Sequence, residues 1–390
     1  MARRQIDAGA VPTLLRRMNE RRVMEVLMRR GPASRADLTR YTGISAPTIS
    51  KAVASLSDAG FIEEQDLYLN KTGRPGHLYR LAAQGVQILG VAIDPQYCWV
   101  VCTGMDCKVA EERVRRFDTP DNYEALLDQI VFHAKRLMDM TPDARMLGLG
   151  ITVPGHVDRT RWVAIDCANI DWLEGQPIVE DLKRQLDLET AVLVKQSQAM
   201  CLAERWSDAA RPFEFFAYVD LTYDVTVGVI KGSQLMRGQH GVSGALGQLP
   251  VPDPEFRNGS TPRLKQLATD LAFSRAVAKR TGKKMRSDQI IEAMLKGQLK
   301  IDDIVDRTLE FMAVGVAAVI NIFDPEAVFV HSRILDAGDE LFDRLVARSR
   351  GELTHAKSDC QVLRGTAMLP CAPTAAFVYN LTETLGPRFD

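Results

Sequence analysis

The sequence lacks the marks of a secreted, disulfide-linked or membrane-spanning protein. Its seven cysteines are an odd number and include no C-x-x-C pair, a pattern typical of reduced cytoplasmic proteins. The N-terminal segment has arginines but no apolar run of the kind that a signal peptide needs. The longest apolar stretch, residues 311–323, is shorter than the ~20 residues that span a bilayer. We therefore expect a cytoplasmic protein with no membrane partner.

Low-complexity tracts are also lacking, so the chain of 390 residues, 46% of them hydrophobic, should fold throughout into two or three domains. Its net charge of −1 conceals an uneven distribution. Residues 1–80 contain 14 Lys+Arg and 8 Asp+Glu, a balance of +6, whereas residues 81–390 contain 35 and 42, a balance of −7. The N-terminal fifth is therefore expected to contact a polyanion.

The N-terminal residues follow the order of a helix-turn-helix. Apolar residues at helical spacing predict a first helix over residues 14–30. Ser34 is positioned to cap a short second helix and Ser45 to cap a third, with a glycine-containing turn between them. Two strand candidates, residues 61–64 and 78–81, then enclose a polar loop, which predicts a β-hairpin, or wing. The third helix would bury Ile49, Val53 and Leu56.

This winged helix-turn-helix has the residue types that DNA recognition requires. A helix entering the major groove needs small and polar side chains at its entering end, so that it can approach base edges. In the wing, Arg74 lies between Gly73 and Pro75, and a cation on such a stiffened tip suits the minor groove. The alternative is a three-helix unit for protein contacts. The candidate DNA contacts are Arg35, Ser45, Ala46, Pro47, Thr48, Ser50 and Lys51 in the helices and Gly73, Arg74, Pro75 and Gly76 in the wing.

The rest of the chain contains a weak internal repeat. A strand-turn-strand pattern over residues 86–103 returns over residues 215–230, and Asp94 and Asp220 hold equivalent positions 126 residues apart. The repeat predicts two similar α/β lobes with a cleft between them. A glycine-bearing loop over residues 238–248 either binds a ligand at the cleft or is simply a series of turns.

Motifs along nearly the whole chain match one family in a single order. They are Ser34-Arg35-Ala36-Asp37-Leu38, residues 45–50, Gly73-Arg74-Pro75-Gly76, Pro154-Gly155, Asn169-Ile170-Asp171-Trp172, residues 202–206, residues 237–247 and residues 321–326. In these motifs the sequence resembles the ROK family (repressors, open reading frames, kinases), and in particular its repressors. The resemblance implies an α/β protein with an N-terminal winged helix-turn-helix and a two-lobed actin/hexokinase-like (RNase H-like) ROK domain, usually a homodimer or a dimer of dimers.

The chain departs from the family's kinases at the positions that handle ATP. Their two phosphate loops contain glycines, but the first has Gln96 here and the second has Asp224, which adds bulk and a carboxylate. Such loops crowd and repel phosphate. Gln196 stands where the kinases have the catalytic aspartate, and glutamine cannot accept a proton near neutral pH. Residues 331–333 replace glycines on the adenosine side. We therefore expect a protein that is not an enzyme.

The zinc site of the family is also expected to be lost. Gln248 replaces its histidine, and no cysteine lies between Cys201 and Cys360. Neither a metal nor a cofactor is therefore predicted.

The resemblance implies that the sugar pocket of the family is only partly preserved in this chain. Lys195 and Lys265 occupy positions that the family fills with Asn and Glu, and buried ammonium groups need a counter-charge, which favours an acidic effector. The alternative is a vestigial pocket with both lysines in solvent. The candidate ligand contacts are Gly155, Asn169, Asp171, Lys195, Gln196, Gln248 and Lys265.

These expectations describe a DNA-binding transcriptional regulator, a repressor, whose lobes bind a carbohydrate-related effector. A dimer would read a pseudo-palindromic operator in double-stranded DNA, because one recognition helix reads too few base pairs. The alternatives are a ligand-independent DNA-binding protein that uses its lobes only for oligomerisation, and a sugar kinase. The predicted domains are residues 1–82, the winged helix; residues 83–199, the first lobe, completed by residues 374–390; and residues 200–373, the second lobe with the ligand cleft and the oligomerisation surface.

Overall fold

The N-terminal residues form a winged helix-turn-helix, as the sequence predicts. The structure is a computed structural model that describes residues 10–66, 77–158, 160–167, 170–239, 242–254, 261–353 and 359–385. The elements of the winged helix are α1 (Ala10–Arg30), β1 (Ala33–Ser34), α2 (Arg35–Thr42), α3 (Ala46–Asp58), β2 (Ile62–Asp66) and β3 (His77–Leu81). The three strands form one antiparallel sheet in the order β1-β3-β2.

Local sequence sets the ends of these helices. Ser34 accepts a hydrogen bond from the Asp37 backbone N–H, the Asp37 side chain accepts one from the Ser34 N–H, and Gly43 ends α2 in a left-handed conformation. The expected cap at Ser45 differs: its hydroxyl bonds the Thr48 hydroxyl at 2.9 Å instead of the helix backbone. The predicted buried face of α3 is confirmed, with one residue added. It consists of Ile49, Ala52, Val53 and Leu56.

Two five-stranded sheets follow, and their equivalent strands have the same order. The first has the order β10-β7-β4-β5-β6 and the second β15-β14-β11-β12-β13. The elements up to α6 are β4 (Val86–Ile93), β5 (Tyr97–Thr103), β6 (Val114–Asp118), α4 (Tyr123–Met138), β7 (Arg145–Val153), β8 (His156–Asp158), β9 (Val163–Ile165), α5 (Ile178–Leu186), β10 (Ala191–Lys195) and α6 (Gln196–Glu204). The later ones are β11 (Phe215–Asp220), β12 (Thr226–Lys231), β13 (Gln234–Leu235), α7 (Asp270–Thr281), α8 (Ser287–Leu295), α9 (Asp302–Phe323), β14 (Ala327–His331), α10 (Asp339–Gly351), β15 (Gln361–Arg364) and α11 (Ala372–Thr384).

The internal repeat predicted from the sequence is confirmed, both in the pairing of the strands and in a hydrogen bond at the end of the first strand of each sheet. In each sheet the first strand pairs antiparallel with the second and parallel with the fourth. The first strand ends at an aspartate whose Oδ1 accepts the backbone N–H two residues later. Asp94 accepts from Gln96 at 2.9 Å and Asp220 accepts from Thr222 at 3.0 Å.

The chain divides into two compact units, each assembled from separate segments. One unit holds residues 1–153, 175–194 and 368–390, and the other holds residues 154–174 and 195–367. The helix that follows the fifth strand of one sheet packs on the other sheet. Helix α6, which follows β10, lies on β11 and β12, and helix α11, which follows β15, lies on β4 and β7. The winged helix lies in the same unit as the first lobe. The domain limits at residues 82, 199 and 373 stay predictions.

Backbone hydrogen bonds join the winged helix to the first lobe. Only four residues separate β3 from β4. The Ala82 N–H donates to the Phe61 carbonyl at 3.0 Å, and the Met105 N–H donates to the Ala82 carbonyl at 2.7 Å. The Arg145 guanidinium bonds the Ala59 carbonyl at 2.5 Å. The connection is therefore part of the packed structure.

None of the helices within the described ranges combines the length and the apolar character needed to cross a bilayer.

Glycine is required where α11 crosses the first sheet. A Cβ added at Gly150 would overlap the Pro373 carbonyl oxygen. We predict that Gly150→Ala lowers the free energy of unfolding by about 1–3 kcal/mol, because the helix must move away from the strand. Chemical denaturation measures the loss. Gly351→Ala is the matched control, since no atom lies within 4 Å of its added Cβ, and equal stability of the two variants would contradict the packing argument.

Candidate functional site

The outer face of α3 carries five of the predicted DNA contacts. Ala46, Pro47 and Lys51 are exposed, and Thr48 and Ser50 are half-buried. This face lies opposite the buried residues of the helix, so small and polar groups are free to approach a DNA groove.

Arg35 is engaged within the winged helix itself. Its guanidinium lies over the ring of Tyr79, 5.2 Å from the centroid, a cation–π contact with strand β3. Burial raises the pKa of Tyr79, so its hydroxyl stays neutral. The predicted wing contacts Gly73, Arg74, Pro75 and Gly76 lie outside the described residues.

The second compact unit contains a small polar pocket with a cavity volume of about 20 Å³ that is partly open to solvent. Three of the predicted ligand contacts, Gly155, Lys195 and Gln196, line it. The remaining lining residues are Pro154, Asp166, Ser197, Asp220, Thr222, Tyr223, Asp224 and Thr226.

Lys195 is the most unusual of these residues. It is only 2% exposed, and its Nζ has no hydrogen-bond partner among the residues that the structure describes. Burial lowers its pKa to about 8, although the nearby carboxylates of Asp224, Asp220 and Asp166 act in the opposite direction. The counter-charges of this ammonium group therefore come from the protein.

Two further polar groups beside Lys195 are unsatisfied. Gln196 donates from its Nε2 to Asp220 at 3.4 Å, but within the described chain its Oε1 has no partner, and neither does the hydroxyl of Ser197. Asp220 also accepts from the hydroxyl of Thr222 at 2.7 Å. Leaving buried polar groups unpaired costs about 1–3 kcal/mol each.

Asp224 is held rigidly in the loop between β11 and β12. Its Oδ1 accepts the Val225 N–H at 2.7 Å, and its Oδ2 lies 3.8 Å from Lys265 Nζ. Burial raises its pKa, with Lys265 opposing. Gly247 packs so closely that any Cβ there would overlap this carboxylate. Lys265 thus pairs with a carboxylate and does not itself line the pocket.

His156 lies next to this site without a charge. Its Nε2 is 3.9 Å from Asp166 Oδ2, and burial, followed by the charge of Lys195, lowers its pKa. The adjacent Gly155 has φ +101° and packs on the Asp166 backbone, a conformation that glycine readily adopts.

Asp270 occupies the backbone N–H groups that follow β14, where the resemblance places the nucleotide. Its fully buried carboxylate accepts from the Ser332 hydroxyl at 2.6 Å and from the Arg333 N–H at 2.8 Å. It also accepts from the Ile334 N–H at 3.3 Å. Burial raises the pKa of Asp270 to about 6.

The other predicted ligand contacts lie elsewhere. Asp171 and Gln248 are exposed and are not part of the pocket lining, and Asn169 lies outside the described residues. Sequence reasoning missed Asp166 and Ser197 as lining residues, and it used Asp220 only as a repeat marker. Its equivalence to Asp94 at a strand end was the signal that could have placed Asp220 in the site. Within the described ranges, no group of three or more His, Cys, Asp or Glu side chains is arranged to hold a metal ion.

A winged helix-turn-helix followed by a duplicated five-stranded α/β unit defines a class: a winged-helix protein with an actin/hexokinase-like domain. The family described as "ROK family" matches residues 90–363, and the family described as "MarR family" matches residues 3–67. The chain belongs to the ROK family.

Known relatives include both regulators and enzymes. The chain is 20% identical to the xylose repressor of Bacillus subtilis (strain 168) over 83% of its own length and 84% of that protein. It is 24% identical to the glucokinase of Thermotoga maritima over 67% of its length and 86% of that enzyme. A crystal structure of a ROK family transcriptional regulator, a homologue of the Escherichia coli Mlc protein, superposes with a TM-score of 0.75 at 19% identity, covering 95% of this chain and 98% of that one.

The buried ammonium group predicts a pH dependence of stability. The pKa of Lys195 is about 8 against an ordinary value of 10.5, so between these values the unfolded chain binds more protons and folding gains stability as pH rises. The free energy of unfolding of the native protein minus that of Lys195→Met should increase by up to about 1.4 kcal/mol per pH unit above pH 8. Denaturation at several pH values measures it. Lys279→Met, at an exposed position, should follow the native protein, and a pH-independent difference for Lys195→Met would contradict the shift.

Proposed function

We propose that this protein is a DNA-binding transcriptional repressor whose ROK domain binds a carbohydrate effector and has lost sugar kinase activity. The observation that carries the proposal is the exposed, small and polar face of α3 on a winged helix built into the first lobe. The relative from Bacillus subtilis is a named repressor, and the basic N-terminal fifth supports contact with a polyanion.

The proposed mode of DNA binding places α3 in the major groove and the wing, with Arg74, beside the minor groove. A homodimer would present two such helices to a pseudo-palindromic operator, because specificity requires more base pairs than one helix reads. Lys51 is the exposed cation of α3 and would contact phosphate.

The proposed effector is a polyhydroxylated carbohydrate. The unpaired Lys195 Nζ and Ser197 hydroxyl can donate to its oxygens, and the unpaired Gln196 Oε1 can accept from its hydroxyls. An acidic effector was expected because buried lysines need a counter-charge. Asp166, Asp220 and Asp224 surround Lys195, so a neutral ligand satisfies the site and an anion would meet three carboxylates. Among these charged groups, only Lys195 favours an acidic ligand.

An effector can change DNA binding only if its affinity differs between the DNA-binding and the released states of the protein.

Loss of kinase activity is proposed from three features of the second unit. Asp224 fills the second phosphate loop with a carboxylate that is fixed by Val225 and Gly247, so phosphate would meet a like charge. Asp270 uses the backbone N–H groups that follow β14. Gln196 lacks the basicity that deprotonation of a sugar hydroxyl requires.

DNA recognition is tested by selecting fragments of the source genome on the purified protein at moderate salt, where contacts to phosphate alone are weakened. A few enriched sites sharing an inverted repeat are expected. On such a site, Lys51→Ala should weaken binding roughly five- to tenfold and reduce the salt slope by about one, since one phosphate contact is lost. Lys279→Ala, an exposed lysine of α7, is the control. Equal binding by both variants would show that α3 does not contact DNA.

Effector binding is tested by titrating D-xylose, D-glucose and D-gluconate into the protein–operator complex. Release by a neutral sugar is expected, and Gln196→Met should raise its dissociation constant roughly three- to tenfold through a lost hydrogen bond. Gln248→Met, outside the pocket, is the matched control.

Release by gluconate alone would identify an acidic effector. Operator binding that responds to no carbohydrate would support the ligand-independent alternative, and phosphate transfer from ATP to any of the three would revive the kinase.

A further inference from the structure

The C-terminal ends of α1 and α2 bring two arginines against one exposed tyrosine. The Cζ atom of Arg30 lies 4.3 Å from the centroid of the Tyr41 ring, and that of Arg40 lies 4.9 Å from it. Arg40 also donates to the Tyr41 hydroxyl oxygen at 3.1 Å. Cation–π contacts with one ring therefore hold both guanidinium groups. These three residues form the arginine–tyrosine cluster.

The cluster has an excess of positive charge. Two guanidinium groups that contact one ring are no further apart than about one Debye length, roughly 10 Å in 0.1 M salt, so salt does not cancel their repulsion. Arg40 bonds the Asp37 carboxylate at 2.6 Å, but that carboxylate also accepts from the Ser34 N–H and hydroxyl at the start of α2. Within the described ranges, Arg30 makes no ion pair with a carboxylate.

The cluster is open to solvent and lies beside the end of α3 that is proposed to enter DNA. Tyr41 is 41% exposed, and Arg30 and Arg40 are exposed as well. Gly43 ends α2 in a left-handed conformation, and α3 begins three residues later at Ala46. The major groove is about 12 Å wide and is bordered by phosphates, so groups at the turn before a recognition helix face one of its edges.

We propose that the arginine–tyrosine cluster binds the phosphodiester backbone of duplex DNA, at the edge of the groove that α3 enters. This inference rests on the proposed function and adds a contact site outside α3 and the wing. A guanidinium group can donate two parallel hydrogen bonds to phosphate oxygens. The Tyr41 hydroxyl accepts from Arg40 and keeps its own proton to donate. The phosphate supplies the counter-charge that the cluster lacks.

A purely structural role for the two arginines has different consequences. Cations in the last turn of a helix stabilise it through the helix dipole, and Arg30 and Arg40 both occupy such positions. That effect changes stability and needs no stacking on Tyr41. Lysine keeps the charge at the helix end but lacks the planar group that stacks and binds phosphate with paired hydrogen bonds, so Arg40→Lys separates the two roles.

The experiment measures binding of the full-length protein to its selected operator and to an unrelated duplex over a range of salt concentrations. The variants are Arg30→Gln, Arg40→Gln and Arg40→Lys. Arg275→Gln, at an exposed position of α7, is the matched control. The midpoint of thermal denaturation establishes that each variant is folded.

Arg30→Gln and Arg40→Gln should each weaken operator binding roughly five- to tenfold and reduce the salt slope by about one. The loss should be equal on the unrelated duplex, because phosphate contacts carry no sequence information. Arg40→Lys should keep the thermal midpoint of the native protein and recover only part of the affinity.

Binding by both glutamine variants that matches Arg275→Gln would overturn the cluster as a DNA contact and leave the repressor proposal standing. A loss confined to one of the two arginines, or to the operator alone, would also overturn it, because a shared phosphate site requires both residues and reads no sequence. Complete recovery by Arg40→Lys would overturn the role of the ring. A native protein that binds neither duplex at low salt would contradict the proposed function itself, and the cluster with it.

Discussion

The close approach of α11 to the first sheet is the contact on which the N-terminal half of the structure depends. Glycines at positions 90, 148 and 150 leave room for Pro373 and Phe377, so the helix lies almost on the strand backbones. At its other end, the hydroxyl of Thr382 contacts the sulfur of Met28 in α1. One helix near the C-terminus therefore packs on both the central strands of the lobe and the first helix of the DNA-binding head.

A second constraint is electrostatic and governs the other unit. Asp224 and Asp270 place carboxylates on backbone N–H groups of this unit. Each carboxylate is satisfied by the protein, so these loops are stable without a ligand. Lys195 is the opposite case, because its charge is balanced at a distance and its Nζ has no hydrogen-bond partner among the described residues.

The sequence predicted what local patterns determine. Apolar spacing placed the helices of the head, and the strand-turn-strand repeat placed Asp94 and Asp220 at matching strand ends. Long-range features were not predictable in this way: α6 follows β10 in sequence but packs on the second sheet, which no local pattern indicates. The surroundings of Lys195 depend on Asp166 and on the strand-turn segment that carries Asp220 and Asp224. The sequence predicted an external counter-charge because it could not place these carboxylates near the lysine. Asp171 and Gln248 came from family positions, and their exposure depends on loop geometry.

The four residues between β3 and β4 have a consequence for how operators are discriminated. They are bonded into the packed structure at Ala82, so the head cannot rotate freely on its lobe as it would on a flexible tether. In a homodimer, the separation and the angular phase of the two recognition helices would then be properties of the lobes. An extra base pair between half-sites changes both their distance and their rotation about the DNA axis, and a rigid junction makes the protein sensitive to each. The spacer length of the operator would accordingly be selected as strongly as its bases.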